Sequence, residues 1–490
     1  MLYRRLSGHW IFSVLVAAIL SCLFLSGCYA GPGADDDDDN NASEGQPTDD
    51  DASGDDGEGD DDANDDMNDD SDDDDFDDDA DDDNRIDDEF AVDPPEPSND
   101  IGVFVSIDGS DLDPGTMESP MRTIQAGVDL AERDAKGVFV SGGTFNESVE
   151  SQVSMYGGYS PDDWSRDIDL YATLLRGVDM WALGLGMYEA PPAPVTIDGF
   201  TVVGPVGWEY SYGVRAIHGE FILLNNDIRS GLAIGPSIAL SYGVDIQSDA
   251  SLKMKNNIVR GGTAMVFLDQ VESVGLNFEG KDAMIAGNFI YGGDIVGFYP
   301  GDSAGIYAFG SGRGVFVNNV IASGNLSTNC WGMRMKMGED DVSLILNNYI
   351  LSRGRGGSLD TFSPAIIVNN ILEFQNLEWS GGAYCEQPVT LMNNNFWGQD
   401  PHARNILDFI DSITQVNSCL WEGCVQAGGN IVAEPQFAGP FNNHLTPGSP
   451  CIDAGVDPFP WYNGLLADRD FDGDTRPQGG GWDIGVDEYR

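Results

Sequence analysis

Short apolar segments that carry one or two asparagines recur through the middle of this chain. FVNNVI occupies 316–321, and LLNNDI (223–228), MKNNIV (254–259), AGNFI (286–290), ILNNYI (345–350), IVNNIL (367–372) and LMNNNF (391–396) share its form. The second residue of each NN or GN step gives Asn226, Asn257, Asn288, Asn319, Asn348, Asn370 and Asn394, spaced 31 three times and then 29, 22 and 24. A second signature runs between them: YGVRA (212–216), YGVDI (242–246), VGLNF (274–278), AGIYA (304–308) and WGMRM (331–335). Self-similarity at this period predicts a solenoid, because each unit can bury its apolar side only against its neighbours.

Period-two alternation within the units predicts strands. Val244 and Ile246 share a face against Asp245 and Gln247, Leu252 and Met254 oppose Lys253 and Lys255, and Met333, Met335 and Met337 oppose Arg334 and Lys336. Short strands with Gly- and Asn-rich corners predict an all-β coil of parallel strands, each unit holding a Gly-led strand, a turn, a second strand and an Asn corner. The asparagines then have a structural reason. At a buried corner the backbone loses its ladder partners, and Asn both tolerates left-handed angles and carries a donor and an acceptor. Stacked turn upon turn, the seven amides form a ladder that satisfies one another and the corner backbone.

An open coil also needs a cover for its first turn. ESPMRTIQAGVDLAERDAKG (118–137) is expected to be an amphipathic capping helix, with Ser119 as cap, Pro120 at the first helical position, and Ile124, Val128 and Ala131 on its buried face.

The amino-terminal hundred residues have a different logic. Arg4 and Arg5 precede the apolar run IFSVLVAAILSCLFL (11–25), which is short for a spanning helix and ends at Leu25-Ser26-Gly27-Cys28. That sequence resembles a bacterial lipobox, which implies cleavage before Cys28 and its acylation. The membrane is then a partner through the lipid anchor, and Tyr29 after the cysteine points to the outer membrane of a Gram-negative cell envelope. Runs such as DDDDD (35–39) and SDDDDFDDDADDD (71–83) have little to bury and are expected to form a disordered acidic tether. They hold much of the formal net charge of -60, yet the remainder of the chain is acidic too. An acidic domain excludes nucleic acid as a partner and disfavours a broad basic groove.

The expected organisation is a lipoprotein signal peptide at 1–27, an Asp-rich tether at 28–100, an N-terminal strand, helix cap and first turns at 101–170, β-helix repeats at 171–428 and a closing segment at 429–490. Beyond Cys28 the cysteines are Cys330, Cys385, Cys419, Cys424 and Cys451, an odd number. Cys419 and Cys424, five residues apart, are the easiest pair to bridge.

VSIDGSDLDPGTMESPMRTIQAGVDLA (105–131), VFVSGGTFNESV (138–149) and MYGGYSPDDWSRD (155–167) resemble the opening of right-handed parallel β-helix proteins of bacterial surfaces. GNIVAEPQF (429–437), HLTPGSPCIDAG (444–455) and DTRPQGGGWDIGVDEY (474–489) resemble the closing segment of choice-of-anchor Q and related pectin-lyase-like proteins. The resemblance implies a right-handed parallel β-helix at a cell surface. It implies no catalytic residue.

Polygalacturonase-type motifs are out of order: RMK (334–336) precedes EDD (339–341), and IHG (217–219) lies far upstream. Arg334 and Lys336 are weak candidates for a catalytic or uronate-binding pair, against the ordinary reading of a solvated face. Asp468, Asp470 and Asp472 with Gly473 match the start of a calcium loop, but the twelfth position is Gly479 and no helices are expected beside it. The functional expectation is a lipid-anchored, non-catalytic surface protein for adhesion or glycan contact with polysaccharide or another cell surface. The alternative is an extracellular lyase, hydrolase or epimerase acting on acidic polysaccharide through Arg215, Arg229, Arg260, Arg334, Lys336 and the aromatic Trp208, Tyr210 and Tyr212.

Overall fold

The computed structural model describes residues 90, 94–266, 268–297, 300–325, 329–375, 381–398, 405–407, 410, 412–439, 442–462 and 464–490, all within the compact unit Asp78–Arg490. The expected signal peptide, Cys28 and the acidic tract up to residue 89 lie outside the described residues. The chain is a right-handed parallel β-helix. Three parallel sheets run its length. Sheet A has twelve strands from Gly102–Val105 to Cys424–Gly428; sheet B has ten, from Gly143–Asn146 to Asn395–Gly398; sheet C has ten, from Val149–Ser151 to Asn405–Leu407.

One turn shows how the sequence makes the coil. Glu220–Leu224 lies in sheet A, the Asn225–Asn226 corner follows, Asp227–Arg229 lies in sheet B, and Ile238–Ile246 lies in sheet C before Ser251–Lys255 begins the next turn. A turn thus has at least three strands where the alternation predicts two. The strand after the corner is often only three residues long, too short to display a period. A fourth sheet, D, joins Gly207–Trp208, Leu232–Gly235, Thr263–Val266 and Asp294–Gly297, and stands between sheets B and C.

Register is kept from turn to turn, so like residues stack. Val244 pairs with Leu276, and Leu276 with Ile306. Inward side chains such as Val244, Ile246, Leu276, Met333, Met335 and Met337 form one continuous core, each contributing about 1.5–3 kcal/mol through burial. The signature glycine has a steric cause. A Cβ on Gly275 would lie 2.7 Å from the carbonyl oxygens of both Gly305 and Tyr291, so no side chain fits where sheet C approaches the sheet B corner.

The first turn is covered by a helix, Ile124–Asp134, whose Ile124, Val128 and Ala131 are fully buried. It starts at Thr123 rather than Ser119. Met121 is tied into the first strand through its N–H to the Phe104 carbonyl and its carbonyl to the Ser106 N–H, both 2.8 Å, which keeps Pro120 and Met121 extended. Thr123 caps the helix by accepting from the Ala126 N–H. Ordered chain also begins before residue 101. Asn99 accepts from the Met117 N–H, and Phe90, inside the acidic tract, is buried beside Leu224 and Ala286.

The closing segment runs back along the outside of the coil. Leu445, Cys451, Ile484 and Val486 pack on Val320, Tyr349, Leu351 and Ile371 of sheet B, while Tyr462 and Ala467 pack on Val315, Val317, Leu344 and Leu346 of sheet A. The end of the coil itself is met by the short helix Ile413–Asn417, whose Val416 enters the main core.

Candidate functional site on the outer face of sheet C

The asparagine ladder is formed. Asn226, Asn257, Asn288, Asn319, Asn348, Asn370 and Asn394 are all buried, and each side-chain N–H donates to the side-chain oxygen of the next at 3.0 Å. Each amide also donates to a sheet A carbonyl one turn back, as Asn319 does to Ile285. The series continues through Asn430 to Asn417, which sequence spacing misses because an insertion separates them from Asn394. The left-handed backbone falls on the residue before: Asn225, Asn256, Gly287, Asn318, Asn347, Asn369 and Asn393 have φ between 50 and 62 degrees. Several of these hold the closing segment, Asn369 by exchanging two bonds with Val456 and Asn318 by donating to Leu466 and Arg469 carbonyls. None of this row is chemical machinery.

Function has to be sought outside the coil, where sheet C carries an unusual face. The outward positions are the first, third and sixth of the LSYGVD-type register, Leu240, Tyr242 and Asp245 in one strand. Three columns result. Leu240, Glu272, Asp302 and Asn329 are in register in one; Tyr212, Tyr242, Val274, Ala304 and Trp331 in the second; Arg215, Asp245, Asn277, Tyr307, Arg334, Asp360 and Tyr384 in the third. Aromatic rings thus run beside a polar file.

The polar file is partly paired. Asp245 is 1% exposed and accepts from Asn277 and Gln247 at 2.8 Å, with Arg215 at 3.4 Å; burial pushes its carboxyl above the ordinary range. Arg215 lies over Tyr212. Arg334 sits between the rings of Trp331 and Phe362, 5.0 and 5.2 Å from their centres, and its Nε is buried with no hydrogen-bond partner. Beside it Asp360 is pushed up to about 6 by burial, against the opposing pull of Arg334 and the Trp331 side chain. Tyr242 donates to Glu272 at 2.6 Å, and Asn329 donates to Asp302 at 2.9 Å. The Tyr307 hydroxyl is buried with no hydrogen-bond partner among the described residues.

Arg334 and Lys336 both line a cleft of ≈ 520 Å³ with Phe309, Phe362, Glu339, Asp340 and Glu386. Three acids oppose two cations there, which is a poor seat for a polyuronate. The other proposed cations do not join them. Arg229 and Arg260 are on sheet B, and Arg260 is 2.6 Å from Asp227. Trp208 is on sheet D, whereas Tyr210 and Tyr212 are on sheet C.

The aspartate-rich loop is similarly divided. Asp470 accepts from the N–H groups of Asp472, Asp474 and Glu488, so its oxygens hold backbone. Asp472 instead faces His444, at 3.4 Å, and His444 is 3.0 Å from Asp487. Asp468, Asp470 and Asp472 therefore do not present a converging oxygen set of the kind calcium needs. Cys419 and Cys424 are disulfide-bonded, and Cys330, Cys385 and Cys451 form no disulfide among the described residues. No helix among the described residues is long and apolar enough to cross a membrane.

No protein-family model matches the chain and no curated protein matches it. Among solved structures it is similar to one described as a rhamnogalacturonan lyase, at 11% identity over 78% of this chain and 96% of that one, with a TM-score of 0.25. A likeness of that degree carries no functional argument; the fold rests on the strand ladder itself.

Proposed function

We propose that the chain is a surface β-helix, lipid-anchored at Cys28 in the outer membrane and held off it by the acidic tract, that contacts glycan chains along the outer face of sheet C. The observation that supports this reading is the column that holds Tyr212 and Tyr242 on adjacent strands and Trp331 three strands further on, in register beside hydrogen-bonding side chains. Sugar rings stack on aromatic faces while their hydroxyls pair with flanking polar groups, and a site needs only a few such polar groups to orient its ligand. The choice-of-anchor Q resemblance of the closing segment agrees with a surface setting. A glycan array probed with the purified protein should give hits that Trp331→Ala and Phe362→Ala weaken. An array with no hits removes the reading.

A second reading, a polysaccharide lyase, hydrolase or epimerase, has one observation in its favour. Asp360 keeps its proton to about pH 6 beside Arg334, a protonation state useful to a general acid. Incubation with a panel of uronans and neutral and amino glycans tests it. New reducing or unsaturated ends that vanish in Asp360→Asn would establish it.

A further inference from the structure

The aromatic column of sheet C is interrupted over two turns, and the interruption has its own chemistry. Val274 and Ala304 stand where Tyr242 and Trp331 stand on either side. Tyr307, 7% exposed, packs in one cluster with both small residues and with Tyr242. Next to them Glu272 and Asp302 occupy the same register on adjacent strands, about 4.8 Å apart along the sheet. Both are half-buried.

Glu272 accepts from Tyr242 and Gln270 and Asp302 from Asn329, but no cation pairs with either carboxylate among the described residues, and two features of the group favour a cationic ligand. The buried Tyr307 hydroxyl has no hydrogen-bond partner among the described residues, an unfavourable state for a buried polar group. The two carboxylates repel one another, and Asp302 is pushed up by burial and further by the Glu272 charge. Asp360 adds a third carboxyl two turns along, across the aromatic column, while the charge of Arg334, between its two rings, opposes the rise at Asp302.

We propose that the surface over Val274 and Ala304 is a subsite for a protonated primary amine, so that the glycan recognised by sheet C contains an amino sugar with a free amine. This rests on the glycan reading above and names its ligand class. An ammonium has three donors and no acceptor. It can donate to Glu272, to Asp302 and to the lone pairs of the Tyr307 oxygen, which relieves the carboxylate repulsion and the orphaned hydroxyl together. The rings of Tyr242, Tyr307 and Trp331 add cation–π attraction. A uronate at the same place would meet Glu272 and Asp302, with Asp360 two turns along and Glu339, Asp340 and Glu386 lining the cleft of Arg334.

The test is calorimetry on the full chain at pH 6 and physiological salt. Three tetrasaccharides serve as probes: β-1,4-glucosamine, its fully N-acetylated form and galacturonate. The glucosamine tetramer should bind about tenfold or more tightly than the acetylated one. Asp302→Asn and Tyr307→Phe, which keep shape and packing, should remove that preference, whereas Trp331→Ala should weaken both sugars alike. Equal or tighter binding of the acetylated or galacturonate chain overturns the amine subsite and leaves the glycan reading in place. Glucosamine binding unaffected by Asp302→Asn and Tyr307→Phe assigns the attraction to the acidic tract and overturns the subsite too. Binding of none of the three overturns the subsite, and the array then decides the glycan reading separately.

Discussion

The side-chain amide of Asn319 donates to the side-chain oxygen of Asn348 at 3.0 Å, and neither residue is exposed to solvent. Asn319 also donates to the Ile285 carbonyl and accepts from both the backbone and the side chain of Asn288. Asn319→Leu therefore strands several buried polar groups at about 1–3 kcal/mol each. Urea denaturation should show a loss of about 3 kcal/mol or more. Asn256→Gly, at an exposed left-handed position, should change stability by less than about 1 kcal/mol, whereas Asn256→Val should cost about 1–2 kcal/mol from strain at φ 58 degrees.

Gly275 leaves no space for a methyl group, since the added carbon would meet two carbonyl oxygens and the Ile290 side chain at 2.7 Å. Gly275→Ala should cost about 1–3 kcal/mol, seen as a lower thermal midpoint. Gly448→Ala has open space around it, so only its backbone angle resists, and its effect should be smaller.

Arg476 and Glu488 form an ion pair at 3.1 Å with both side chains fully buried. Arg476 also donates to the carbonyls of Asp483 and Gly485, which joins the last residues to the loop that covers sheet B. Arg476→Met leaves the Glu488 carboxyl without its cation and should cost about 3–5 kcal/mol. Limited proteolysis should then cut first between residues 464 and 490, with the coil core remaining protected.

His444 holds its proton above the ordinary value of 6.5, chiefly through its bond to Asp487 and further through the charges of Asp487, Asp472 and Asp470. Its folded pKa is raised. The stabilisation is therefore complete below 6.5 and disappears as pH rises through the higher folded value. His444 and Asp472 are about half exposed and only Asp487 is buried, so the effect should stay below about 1 kcal/mol. Hydrogen exchange at Leu445, whose N–H donates to Asp487, should accelerate beyond its intrinsic pH dependence over that window, and His444→Gln should abolish the excess.

Asp360 is a buried acid raised from 3.8 to about 6. Its protonated form favours the fold, so its contribution is present below 3.8 and is lost as pH rises through about 6. Carbon-13 NMR of the side-chain carboxyl should show a midpoint near 6. Arg334→Gln removes a cation that holds it down, and the midpoint should move higher.

The fold was legible because its repeat is dictated locally. A corner that keeps buried peptide groups paired calls for an amide side chain, and the residue before it must accept a left-handed backbone; Asn-Asn and Gly-Asn steps meet both needs in sequence. Alternation placed Met333, Met335 and Met337 inside and Arg334 outside for the same local reason. The three-residue strands of sheet B, the added sheet D and the closing segment on sheets A and B were not legible, because strands that short show no period and docking is a contact between distant residues. The candidate site depends on that second kind of information. Glu272, Asp302, Tyr307, Arg334 and Asp360 lie on four successive turns with no common motif in the chain, and only the parallel register stacks them on one face. Sequence by itself determined the coil, whose forces act between a residue and its near neighbours. Tertiary structure decided which outward residues meet, because that depends on how many residues each turn takes before it returns to the same sheet.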